Sequence, residues 1–124
     1  MSKELVILAV DDDMINLKLL KSMLTKHEDV KEVLEAKNGS DAIGVIKSRP
    51  DIDLMLLDII MPVMNGIEVL KVVRSDENIE QMPIIVLTTD ETKRSEALEL
   101  GANGFLMKPI RNSELFTKIS SILV

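Results

Sequence analysis

Short runs of apolar residues recur along the chain and alternate with segments in which apolar residues return every three or four positions. The runs that we interpret as strands are Leu5–Val10, 32–36, 54–57, 84–87 and Gly104–Met107. Most of them are continuously apolar, which is typical of strands buried on both faces of a parallel sheet. The spacing in between, for example Leu17, Leu20 and Leu24, predicts helices with one buried face.

The order of these segments predicts the topology. A strand followed by a helix recurs along the whole chain, and such parallel crossovers are right-handed in nearly all proteins. Asp13 and Asn112 are candidate N-caps, and Gly101 is placed to end a helix. We expect one α/β domain over residues 1–124, a (βα)5 three-layer sandwich. Its five-stranded parallel sheet should have the order 2-1-3-4-5, with helices on both faces.

The composition narrows the function classes. The chain has 124 residues, a net charge of -6 and a pI of about 4.8, which argues against direct binding to nucleic acid or to an anionic membrane. It has no cysteine, which excludes disulfides and thiolate metal sites and is compatible with a reducing cytosol. No apolar run approaches the ~20 residues of a membrane span, and the amino terminus lacks the features of a signal peptide. We therefore expect a cytoplasmic protein.

Side chains that could carry chemistry follow four of the five predicted strands. In chain order they are Asp11 and Asp12, then Asp58, then Thr88 and Thr89, then Lys108. Ligands of such sheets bind beyond the carboxyl ends of the strands, so we expect these groups to meet at one edge. Neighbouring carboxylates repel one another by roughly 4 kcal/mol per pair at 4 Å. A hard cation with oxygen ligands, Mg²⁺ or Mn²⁺, would relieve that repulsion.

Taken singly, each residue has a simpler interpretation. Asp13 is better explained as a helix cap than as a ligand. Asp58 could be a turn residue, Thr88 a strand residue and Lys108 a solvated surface residue. Together these groups suit phosphoryl transfer, in which a carboxylate can be the nucleophile and form an aspartyl phosphate. Lys108 would then supply positive charge and Thr88 a hydrogen bond. The chain lacks a glycine-rich phosphate loop, so no bound nucleotide is expected.

Several segments resemble the receiver domain of bacterial two-component response regulators, and the resemblance covers essentially the whole chain. They are "VDDD" after the first strand, "LLDIIMPVMNGIEVL" around Asp58, "PIIVLTT" and "GANGFLMKPI". The aspartate followed by Met-Pro and then Asn-Gly is a highly specific motif. The resemblance implies a flavodoxin-like fold and a phosphoacceptor switch, which is not an enzyme beyond assisting its own phosphorylation and dephosphorylation.

The resemblance also implies roles for individual residues. Asp58 would accept a phosphoryl group from a histidine kinase or a histidine phosphotransfer protein. Asp12 would bind the metal ion directly and Asp11 would assist it, with Asp58 and the backbone carbonyl of Ile60 completing the protein ligands.

Further implied roles concern the fourth and fifth strands. Thr88 and Lys108 would hold the phosphoryl group. Phe105 matches the switch aromatic that turns inward on activation, so that the face of helix 4, strand 5 and helix 5 changes its affinity for a downstream protein or output domain. Lys108–Pro109 matches a cis peptide bond of the family.

Two positions depart from the family pattern. Thr89 stands where alanine is most frequent, and Ile60 offers no polar side chain to position an attacking water molecule. We hypothesise that the two residues tune turnover and make the phosphorylated form long-lived.

Two alternatives remain open at this point. A phosphatase of the haloacid dehalogenase type would use Asp11 and Asp13 of the Asp-x-Asp pattern after the first strand. That family needs a larger core and a later acidic pair, and it would leave Asp58 unexplained. A flavodoxin-type redox carrier is a weaker rival, because it needs a hydroxyl-rich phosphate loop. The sole histidine, His27, is expected to be solvated near the end of the first helix.

Overall fold

The computed structural model of the chain describes residues 4–123, and its strands form one parallel sheet. The strands are β1 (Leu5–Val10), β2 (Val30–Ala36), β3 (Leu54–Asp58), β4 (Ile84–Thr88) and β5 (Gly104–Met107). Their order is β2-β1-β3-β4-β5, which confirms the predicted topology. β2 begins at Val30 rather than at residue 32 because it is an edge strand, where the exposed Lys31 and the half-buried Glu32 interrupt the apolar run.

Helices follow the strands along the described chain. They are α1 (Met14–Thr25), α2 (Gly39–Ser48), α3 (Gly66–Ser75), α4 (Arg94–Glu99) and α5 (Asn112–Ile122). A 3-10 turn, Glu91–Lys93, leads directly into α4. None of the described helices combines the length and the apolar character that crossing a membrane requires.

Helices cover both faces of the sheet, which explains the continuously apolar strands. Alternate residues of β1 point to opposite sides: Val6 and Leu8 pack with α2 and α3, whereas Ile7 and Ala9 pack with α1 and α5. Because both of their faces are buried, β1, β3 and β4 carry no charged side chain before their carboxyl ends. The carboxyl edge therefore becomes the polar part of the inner sheet.

The helix ends agree with the sequence in two cases and differ in a third. The Asp13 carboxylate accepts a hydrogen bond from the Ile15 N–H at 2.8 Å and caps α1. Gly101, with a φ of +105°, follows the end of α4. The prediction for Asn112 was wrong, because Asn112 is already the first helical residue of α5. The extended residue before it is Arg111, whose side chain makes no capping bond.

The expectation that His27 is solvated was also wrong. Its ring is half-buried and meets Phe116 edge to face, with the ring centroids 4.7 Å apart. Its Nδ1 accepts a hydrogen bond from the Asp29 N–H at 3.0 Å. α1 has ended by Thr25, and the turn that returns the chain to the sheet places His27 against α5.

Candidate functional site

Three aspartates lie together at the carboxyl edge of the sheet. Asp11 and Asp12 follow β1, Asp58 ends β3, and Val10 pairs with Leu57 in the register of these neighbouring strands. A carboxylate oxygen from each aspartate lies within 4.8 Å of the others. Asp11 and Asp58 are only 1% and 4% exposed, whereas Asp12 is open to solvent. The parallel topology therefore joins residues that are far apart in the sequence.

Lys108 reaches the same cluster from the end of β5, across the intervening strand β4. Its Nζ lies 2.9 Å from Asp11 Oδ2 and 3.3 Å from Asp58 Oδ1. Burial opposes the charged ammonium, but the hydrogen bond to Asp11 and the charge of Asp58 outweigh burial and raise the Lys108 pKa. The ammonium therefore stays charged and offsets part of the negative charge.

The carboxyl group of Asp58 has a raised pKa. Burial is the main cause that raises the pKa of Asp58 to about 6; the nearby Lys108 charge opposes the rise and the Asp11 charge adds to it. A hydrogen bond from the Ile60 backbone also lowers the pKa, but it does not cancel the effect of burial. The interactions with Lys108 and Ile60 thus do not fully offset the cost of burying the ionised Asp58 carboxylate.

The donor set fits a hard divalent cation. Three carboxylates facing one ammonium leave excess negative charge when all are ionised. Oxygen-only ligands, with one of them exposed, suit Mg²⁺ or Mn²⁺, which keep several water molecules. The Ile60 side chain is 59% exposed, and metal binding by its carbonyl stays a prediction.

Asp13 stands outside this cluster. Its carboxylate is engaged with the Ile15 N–H as the cap of α1, and its own N–H donates to Asp11 Oδ1 at 2.9 Å. Among the described residues, the carboxylates that could hold an ion together are those of Asp11, Asp12 and Asp58. An acid–base pair of Asp11 and Asp13, as the phosphatase alternative requires, is not supported by this geometry.

The threonines that follow each other at the end of β4 have different environments. Thr88 is fully buried, and its Oγ1 accepts a hydrogen bond from the Asp90 N–H at 3.1 Å. Thr89 is exposed and lines a cavity of about 450 Å³ beside Asp11 and Lys108. The other lining residues come from α1, from Leu87 of β4 and from the segment after β5. They include Leu19, Met23 and Ile110.

The loop between β3 and α3 contains features that the sequence reasoning missed. A Cβ on Gly66 would lie 2.5 Å from the Asp58 carbonyl oxygen, so only glycine lets α3 begin against the end of β3. Asn65 and Glu68 form a reciprocal capping box at that helix start. Asn-Gly before a helical pattern, with Glu three residues after Asn, is a sequence signal that could have found both. Val63 has a φ of +69°, which a β-branched residue rarely adopts.

Phe105 lies in β5, and Pro109 follows the carboxyl end of that strand. The Phe105 ring is buried at 7% exposure, and the Arg94 guanidinium lies over it with Cζ 5.6 Å from the ring centroid. The Lys108–Pro109 peptide bond is cis.

Comparisons with known proteins agree with this architecture. The model of the response regulator receiver domain matches residues 7–120. A chemotaxis protein CheY homolog of Campylobacter jejuni is 36% identical over 121 residues, covering 94% of this chain and 91% of the relative. The solved structure of the chemotaxis protein CheY4 of Vibrio cholerae has a TM-score of 0.86 and 30% identity, covering 96% of this chain and 98% of that one. A CheX–CheY–BeF3–Mg complex from Borrelia burgdorferi has a TM-score of 0.85 and 27% identity, covering 97% and 90%.

The family match spans nearly all of the described fold, and the relatives are covered over most of their own length. No finding supports the phosphatase alternative. The chain belongs to the receiver domains of two-component response regulators and is a phosphoacceptor signalling switch, not a classical enzyme.

Proposed function

We propose that Asp58 is the phosphoacceptor of this receiver domain. The observation that carries the proposal is its position: a buried carboxylate at the end of a central strand, 3.3 Å from the Lys108 ammonium and beside Asp11. The donor is a histidine kinase or a histidine phosphotransfer protein. A carboxylate oxygen of Asp58 bonds to phosphorus as the phosphorus–nitrogen bond breaks, and the histidine leaves as a neutral imidazole after taking up a proton.

Asp11, Asp12 and Asp58 would hold Mg²⁺ or Mn²⁺, with the Ile60 carbonyl as a further ligand. When bound, the cation neutralises charge on the phosphoryl oxygens. The Lys108 ammonium, already between Asp11 and Asp58, neutralises a further share of that charge.

Thr88 and Phe105 connect this site to the output face. The Thr88 hydroxyl would leave its contact with the Asp90 N–H and donate to a phosphoryl oxygen. The space that Thr88 vacates would let the Phe105 ring settle further inward, which changes the surface of α4, β5 and α5. A ligand shifts such an equilibrium only by its differential affinity for the two states, so the downstream protein or output domain must prefer one of them.

The partner classes follow from the same role. A complex of CheX with CheY in Borrelia burgdorferi supports a receiver-binding protein as one class of partner. We propose that this domain acts in the cytoplasm and binds neither nucleic acid nor membrane directly, in line with its net charge of -6.

The test uses the whole chain with acetyl phosphate as donor. With Mg²⁺ present, intact-mass spectrometry should show one added phosphoryl group on the wild type and none on Asp58→Asn. Glu68→Gln, which changes a carboxylate in the first turn of α3, is the matched control and should be labelled normally. Equal labelling of Asp58→Asn and the wild type would overturn the proposal.

A further inference from the structure

α4 is a short helix with little buried surface to anchor it. Within Arg94–Glu99, all of which is described, Ala97 is the single buried residue, and Leu98 is 42% exposed. By contrast, α3 buries residues along its whole inner face. Helices with few buried contacts open at low free energy, so what holds the two ends of α4 decides how it moves.

The carboxyl end of α4 is held by Arg74, which projects from α3. Arg74 Nε and Nη2 both donate to the Gly101 carbonyl, at 3.0 and 2.8 Å. Nη1 donates to the Glu80 carbonyl at 2.7 Å, and Nη2 also donates to Asn103 Oδ1 at 2.9 Å. One half-buried guanidinium thus joins α3, the end of α4 and the start of β4 and β5.

The local backbone reinforces this anchor. The Gly101 N–H donates to the Leu98 carbonyl and the Ala102 N–H to the Ala97 carbonyl, which together form a Schellman motif. A Cβ on Gly101 would lie 2.8 Å from Arg74 Nε, so glycine is what lets the guanidinium approach. Asn103 accepts from the Ile84 N–H at 2.9 Å and extends the network into β4.

The amino end is held by contacts that are more exposed. The Arg94 guanidinium lies over Phe105 and is 3.5 Å from the Glu91 carboxylate, yet the side chains of that ion pair are 57% and 59% exposed. Before it, the 3-10 turn is capped by Asp90, whose N–H donates to Thr88 Oγ1. This end is therefore tied to the buried Thr88 hydroxyl at the carboxyl end of β4.

We propose that α4 is hinged at its carboxyl end: Arg74 keeps Gly101 fixed in both signalling states, while the segment 91–94 is the part that moves. The hinge itself is a property of the unmodified chain, and only its use in signalling rests on the proposed function. Arg74 is a positioning residue and touches no reacting atom.

Hydrogen–deuterium exchange of the unmodified chain, read by mass spectrometry, tests the hinge. Backbone amides at both ends are hydrogen-bonded, so their rates can be compared after correction for intrinsic exchange. We expect residues 91–95 to exchange faster than residues 100–103. Arg74→Lys should speed exchange at 100–103 on the order of tenfold. Arg94→Met should speed it only at 91–95, by about threefold.

Arg49→Lys is the matched control. Arg49 is also bound by several hydrogen bonds, to Glu32 and Asp51, and its substitution should change neither segment. Equal exchange at both ends of α4 in the wild type, or no effect of Arg74→Lys at 100–103, would overturn the hinge. If Arg74→Lys fails to fold, the wild-type gradient and Arg94→Met still decide the question.

A second set of samples is treated with acetyl phosphate and Mg²⁺, and intact mass reports the label. In labelled chain, exchange should change at 88–95 and stay constant at 100–103; a change of equal size in both segments would contradict the hinge. Absence of label would refute the proposed function instead, and the first set would still decide the hinge.

Discussion

Replacing Asp58 by Asn should stabilise the metal-free domain at neutral pH. Burial raises the pKa of Asp58 to about 6 from an ordinary value of 3.8. The folded state therefore binds the proton more tightly than the unfolded state, and stability is lost as the pH rises from about 4 through 6. The difference in pKa corresponds to about 3 kcal/mol once Asp58 is fully ionised.

The gain in the Asn variant should be smaller than this ceiling. Asn keeps the shape of Asp, but it gives up the charge contact with Lys108 Nζ at 3.3 Å. We expect an increase of about 1–3 kcal/mol in the free energy of unfolding at pH 7.5. The increase should fade toward pH 4, where Asp58 is protonated in the folded wild type as well.

Urea denaturation in the presence of EDTA, repeated between pH 4.5 and 7.5, measures the difference in the free energy of unfolding between Asp58→Asn and the wild type, and how that difference depends on pH. Glu68→Gln serves as a control for the loss of a carboxylate charge outside the cluster. The reasoning is refuted if Asp58→Asn is less stable than the wild type at pH 7.5, or if its advantage is the same at every pH. Excess Mg²⁺ should reduce the stability difference between the two proteins, because it binds and stabilises the folded wild type. At a Mg²⁺ concentration of 100 times the Kd, this stabilisation is about 2.7 kcal/mol.

Three further outcomes follow from other features of the fold. Thr89→Ala should shorten the lifetime of the acyl phosphate, which is measured by the decay of labelled protein after the donor is removed. Equally fast decay in the variant and the wild type would refute the hypothesis of a long-lived phosphorylated form. Val63→Asn should raise the free energy of unfolding by about 1 kcal/mol, because Val63 holds a φ of +69° at 85% exposure; an unchanged urea midpoint would argue against strain there. Asn65→Ala should lower stability by about 1 kcal/mol through loss of the α3 cap, while a neutral result would show that Glu68 and solvent compensate.

The topology and the carboxylate cluster could be predicted because each depends on a simple rule. Strands such as β1 and β3 are buried on both faces, so they appear in the sequence as continuous apolar runs. Because the carboxyl ends of parallel strands meet at one edge of the sheet, Asp11 is expected beside Asp58. The same logic located Lys108, although the 2.9 Å contact with Asp11 could only come from the structure.

Features that depend on contacts between distant parts of the chain could not be predicted from the sequence in this way. His27 is covered by Phe116 of α5, whose position depends on the folded sheet. Asn112 has the chemistry of an N-cap, but the preceding loop makes Arg111 the last extended residue. Arg74 looks like an ordinary surface residue of α3, because its partners near Gly101 are brought to it only by folding.

In the proposed function, signalling by this domain depends on phosphorylation of the Asp58 carboxylate. The most direct test of this role is chemical mapping of the wild-type chain after phosphorylation with acetyl phosphate and Mg²⁺. Borohydride reduces an acyl phosphate to the alcohol, so the modified residue can be identified in a peptide digest. The account predicts reduction at Asp58 alone; reduction at Asp11, Asp12 or Asp13 with Asp58 unmodified would contradict it.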